Sequence, residues 1–173
     1  GINVDSLQGV LDVRINLSTH STAGSSEIDS ELSAFSLPIP KEKETIINGK
    51  RRSRVLPGAP MAFVNKQTDI YCDSHQLYDW CDTNGDFTYY VKNQIREYFG
   101  GDGGKQITSF LSLPLVKDRT SDPIGVINIH KNGSNLLIDK TRLLHFEPII
   151  RPYRHMLTKL VMQLNSLELN DKK

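Results

Sequence analysis

The sequence predicts an α+β fold, with an antiparallel β-sheet of five or six strands and helices packed on its faces. Three observations carry this. Ser109 to Val116 and Ile124 to His130 are apolar runs with period-two alternation. The polar segment Lys117 to Pro123 separates them, which is the pattern of a β-hairpin. Phe87, Val91, Ile95 and Tyr98 recur at the spacing of one helix face, with Lys92, Asn93, Arg96 and Glu97 outside it. Finally, 173 residues with 38% hydrophobic and 24% charged side chains suit one domain, residues 1–173, with a sizeable core.

From the N-terminus, Leu11, Val13, Ile15 and Leu17 alternate with Asp12, Arg14 and Asn16, so Leu7 to Ser18 reads as a half-buried strand. Residues 19–33 are rich in Ser, Thr, Asp and Gly and read as a long exposed loop. Ala34 to Ile39 is a short strand whose Pro38 suits a sheet edge. Lys41 to Arg54 gathers six basic and two acidic residues and reads as a solvated, charged connector. A nucleic-acid or lipid contact would use such a patch, but no aromatic residue is interleaved for stacking.

Pro57-Gly58 marks a turn, and Pro60 fits the first turn of a short helix to about Asn65. Asp69 to Cys72 is a brief strand, and Asp73-Ser74 caps the helical turn that follows. Asp86 is expected to cap the helix Phe87 to Phe99, which the glycine run 100–104 ends. After the hairpin, Asn132 to Asn135 turns the chain and Leu136, Leu137 and Ile138 return to the core. Asp139 caps a terminal helix to about Leu169, with a kink or restart at Pro148 and Pro152. Leu157, Leu160, Val161, Leu164 and Leu167 form its apolar stripe, part core and part dimer seam.

The order of these pieces resembles a known family. Ser109, Leu111, Pro114 and Leu115, then a polar turn, then Ile124-Gly125-Val126-Ile127 and Ile129 look like the central hairpin of GAF domains. Pro57-Gly58-Ala59-Pro60-Met61 to Asp73 is similar to that family's short helix, strand and Asp. The resemblance runs over about residues 8 to 165 and implies a sensory module. A small molecule would lie between the sheet and the segment Tyr71 to Phe99, and the terminal helix would carry the response. The side chains this arrangement offers are Phe63, Tyr71, Asp73, Trp80, Tyr89, Ser112, Asn128 and His130. The rival reading is a dimerisation or docking module on the same fold, pairing through the C-terminal helix.

Other chemistries find little in the residues. GAF-type free methionine sulfoxide reductases place a catalytic cysteine shortly before the hairpin, and Tyr98 to Lys105 contains none. Cys72 and Cys81 lack paired zinc spacing and read as reduced cytoplasmic thiols. Asp82, Asn84 and Asp86 begin like a calcium loop, but Phe87 stands at position six and Asn93 at position twelve. The five histidines are scattered, so no metal set and no catalytic set is expected, and no cofactor is named by the sequence. A net charge of +1 gives no global field toward nucleic acid, and no apolar run is long enough to span a membrane.

Overall fold

The computed structural model of the chain describes residues 6–12, 36–100, 107–118, 121–131, 136 and 141–170. They form β1 (Leu7–Asp12), β2 (Ser36–Pro40), β3 (Glu44–Ile47), β4 (Lys50–Ser53), α1 (Ala59–Asn65), β5 (Asp69–Tyr71), α2 (Ser74–Thr83), α3 (Tyr89–Gly100), β6 (Ser109–Val116), β7 (Pro123–Lys131) and α4 (Thr141–Asn170). The class is α+β, as expected. The single sheet of five or six strands is not seen. Among the described residues the strands pair antiparallel as β1–β2, β3–β4 and β5–β6–β7.

Local chemistry explains the division. Pro38 and Pro40 remove two of the five backbone donors of β2, and β1 carries an irregularity between Leu7 and Gly9. Neither strand can extend a regular ladder outward. The hairpin ribbon therefore holds the middle of its sheet through β6 only, with β7 at the border. The expectations for residues 13–35, 101–104, 132–135 and 137–139 lie outside the described residues.

β6 is buried on both faces from Ser109 to Leu115. One face, with Leu111 and Leu113, joins Ile70, Ile127, Ile129 and the α4 residues Leu143, Phe146 and Ile150. The other, with Phe110, joins Tyr71, Leu77 and Ile107, against which Ile95 and Phe99 of α3 pack. α1 lies against β6 and β7. The three-stranded sheet is thus the middle layer, which is why β6 reads as a nearly continuous apolar run.

Three further expectations are corrected. Residues 41–54 are not a plain connector: they contain the β3–β4 hairpin, closed by Asn48 (φ 50°) and Gly49 (φ 74°). Both φ values are positive, as the type I′ hairpin turn requires. Asp86 does not cap α3, because its carboxylate is drawn to Arg54 at 3.1 Å. Thr88 caps instead, its Oγ1 accepting from the Val91 amide at 3.4 Å. Finally, α4 is one continuous helix through Pro148 and Pro152, without the restart that was the alternative to a kink. Both prolines are exposed, one turn apart, away from Leu143, Phe146 and Ile150. The carbonyls they leave without helical donors therefore face water, while sheet contacts and the Glu147–Arg154 pair (2.9 Å) hold the helix across them.

Candidate functional site

Side chains directly opposite each other in an antiparallel ladder share a face. The pairing therefore sets two rows across the sheet: Asp69, Ser112 and Asn128, then Tyr71, Phe110 and His130. In the polar row, the buried Ser112 hydroxyl donates to Asn128 Oδ1 at 2.7 Å. Asp69 Oδ2 accepts from the Gly58 amide at 2.7 Å, which ties the entry of α1 to the sheet. In the other row, Tyr71 stacks on Phe110 with centroids 5.1 Å apart, and Phe99 stacks on the same ring at 6.1 Å. This aromatic stack occupies the interior between the sheet and α3. Burial, with the Asp69 charge second, pushes the Tyr71 hydroxyl far above the ordinary tyrosine range.

The other expected residues are dispersed. Asp73 caps α2, accepting from the His75 amide and facing His75 Nδ1, each at 2.8 Å. The amide bond, then the ring bond, holds its carboxyl below the usual range. Phe63 is half-buried on α1, and Tyr89 is 76% exposed at the start of α3. Asn128 and His130 are exposed on the border strand. Burial pushes the Cys81 thiol up to about 11, so it is protonated at neutral pH. The acids of the calcium-like run are divided, Asp82 meeting Lys92 (3.0 Å) and Arg96 (2.9 Å) while Asp86 meets Arg54.

An open cleft of about 510 Å³ lies elsewhere, between the β3–β4 hairpin, α1 and the Trp80 ring of α2. Val55, Met61, Val64 and Trp80 give it apolar walls, while Lys43, Glu44, Ser53 and Asn65 supply polar groups. Of the expected site residues only Trp80 lines it. The hairpin wall is fixed: Arg52 donates to the Asp82 and Thr83 carbonyls at the end of α2, and Arg54 pairs with Glu42 as well as Asp86. Ser53 N–H donates to the Asn84 carbonyl at 2.8 Å, and Asp86 N–H to the Ser53 carbonyl at 2.7 Å. The basic residues of the segment are thus partly structural. The sequence did carry a sign of this wall, since Asn-Gly between Ile47 and Lys50 is a strong hairpin signal. Met61, Val64 and Asn65 also share one helix face at i, i+3 and i+4.

No family model matches the chain, and no curated protein matches it. The structural likeness is to a GAF domain. The chain is similar to the crystal structure of a GAF domain region from Geobacter sulfurreducens PCA, at 14% identity and a TM-score of 0.38. The match covers 68% of this chain and 64% of that one, so it spans less than two thirds of the GAF-region chain. Among the described residues, no helix is long and apolar enough to cross a membrane, and no three or more His, Cys, Asp or Glu side chains gather as a metal site.

Proposed function

We propose that this chain is a single GAF-like regulatory module that binds a small molecule in the cleft between the β3–β4 hairpin, α1 and Trp80, with α4 relaying the change. The cleft carries this reading: about 510 Å³ falls within the range of small-molecule sites, as do apolar walls with a few polar groups. α1 links the cleft to the β6–β7 ribbon, and α4 packs on the opposite face of that ribbon. A ligand that favours one packing of α1 on the sheet would bias the packing of α4. Asp69 and Ser112 stand along that route, Asp69 bonded to the Gly58 amide at the entry of α1 and Ser112 to Asn128 of β7.

Trp80 is the only tryptophan of the chain, so its emission reports on the cleft directly. A thermal-shift screen of nucleotides, amino acids and tetrapyrroles should yield a compound that raises the melting temperature and changes Trp80 emission. At a hundredfold excess over Kd, the stabilisation is about 2.7 kcal/mol, or roughly 5–10 °C for a chain of this size. Stabilisation that leaves Trp80 emission unchanged and survives Val64→Trp would place the ligand outside the cleft. No stabilising compound would sink the reading.

A second reading, self-association through α4, is favoured by one observation. Ile149, Tyr153, Met156, Leu160 and Leu164 are exposed along one side of the helix, beside the stripe that packs on the sheet. Their 4-3-4-4 spacing approaches a coiled-coil seam about 22 Å long. Sedimentation analysis should then give a dimer that Met156→Glu with Leu160→Glu converts to monomer. A monomeric wild type excludes it.

A further inference from the structure

We propose that the tip of the β3–β4 hairpin docks on an anionic lipid surface, with Ile46 and Ile47 entering the headgroup region and Lys50 and Arg51 meeting its negative charge. Successive residues of a strand point to opposite faces, so a ribbon covered on one side would bury one of two neighbouring isoleucines. Here Ile46 is 72% exposed and Ile47 40% exposed. Both faces of the tip are open.

The register places a cation beside each of them, because Ile46 pairs with Arg51 and Ile47 with Lys50. Each face of the tip therefore presents one apolar and one basic side chain. A folded protein partner covers one face of a ribbon. A fluid lipid boundary accepts both faces at once, taking the isoleucines into its apolar edge and the cations among its phosphates. With Arg52 and Arg54 engaged at the base, Lys50 and Arg51 at the tip stand against Glu44, which leaves the positive sign such a surface requires. Arg51 lies 3.8 Å from Glu44, but both are largely exposed, and such a pair leaves the guanidinium available to a headgroup.

The arm is also rigid at its base. Arg52 and Arg54 tie it to the end of α2 and to Asp86, and the turn is the tight Asn48-Gly49 type. Little order is lost when such a tip docks. Nucleic acid is the less suitable occupant, since no aromatic residue stands between 41 and 54 for stacking and apolar wedges are not needed to track phosphates.

The test is co-sedimentation of the full chain with phosphatidylcholine vesicles, with and without phosphatidylserine. Binding is expected only with the anionic lipid, and it should fall steeply as salt is raised above about 0.1 M. Ile46→Ser with Ile47→Ser should weaken it about tenfold or more, and Lys50→Gln with Arg51→Gln by about tenfold. These side chains sit at an exposed tip, so an unchanged melting temperature will verify the fold. If a variant fails to fold, the salt dependence of wild-type binding decides. No sedimentation, equal binding to neutral vesicles, or binding indifferent to the isoleucines would overturn the proposal. So would self-association through the β3 edge that the same isoleucine variant abolishes.

Discussion

Leu111→Ala is expected to remove about 3–5 kcal/mol of stability, a large share of the roughly 5–15 kcal/mol that holds a domain folded. Leu111 is 0% exposed at the centre of β6. Its cross-strand neighbours are Ile70 of β5 on one side and Ile129 of β7 on the other. Leu113 lies on the same face, and Leu143, Phe146 and Ile150 of α4 pack on the cluster. Truncation here leaves a void bounded by two hydrogen-bonded strands and a helix, none of which can move in without breaking its own contacts. Sites that cannot collapse are at the costly end of the Leu→Ala range. Urea unfolding should show the loss in the midpoint, with a melting temperature lower by roughly 6–20 °C. Leu111→Met, which nearly conserves volume, should lose less than about 1.5 kcal/mol. The α4 residues share this cluster, so amide exchange in α4 should quicken more in Leu111→Ala than exchange in α2. A loss below about 1 kcal/mol would mean that this layer is not packed as described.

That layer was legible in the sequence because its signals are local and agree with one another. The alternation of Leu111, Leu113 and Leu115, the polar turn and the Ile127–Ile129 pair all demanded one ribbon, and β6 and β7 follow within a residue or two. Asp73 likewise caps α2, because a side-chain carboxylate two residues from an orphan amide needs nothing distant. Where tertiary partners decide, reading along the chain failed. Asp86 had the chemistry of a cap, but Arg54, 32 residues away, claims its carboxylate and leaves Thr88 at the start of α3. Pro148 and Pro152 break isolated helices, yet here they sit on the solvent side of one held down by its other face.

The candidate site was less legible still. Trp80 borders an open cleft, but its other walls are α1 and the β3–β4 hairpin, which no local signal around Trp80 points to. The charge of residues 41–54 points to a solvated connector, but the positive φ pair at Asn48-Gly49 folds the segment back on itself. That fold brings Glu44 opposite Ser53, which no charge count would place together. Tyr71 shows the converse. An aromatic residue at the end of a strand suits a pocket wall, but Phe110 and Phe99 lie within stacking distance and take it into the core.

Gly58→Ala should be nearly as damaging as the core truncation, and for two separable reasons. Gly58 precedes α1 with φ 86° and ψ −130°, a region that only glycine enters without strain. Holding an alanine there costs about 1–3 kcal/mol. The added methyl would also stand 2.9 Å from Phe110 Cε2 and 3.7 Å from Ser112 Oγ. A free ring would swing aside, but Phe110 is stacked by Tyr71 and Phe99, so overpacking adds about 1–3 kcal/mol more. The expected total is about 2–6 kcal/mol in urea unfolding. Phe110→Leu combined with Gly58→Ala separates the parts, since the smaller side chain relieves the contact and leaves the backbone strain. The double variant should therefore lose less than the sum of the single losses, with a coupling of about 1–3 kcal/mol. Strict additivity would assign the whole effect to the backbone. The Gly58 amide bond to Asp69 anchors α1, and α1 carries Met61, Val64 and Asn65. A strained entry to α1 should thus alter Trp80 emission even where the chain remains folded, which ties a single backbone angle to the shape of the cleft.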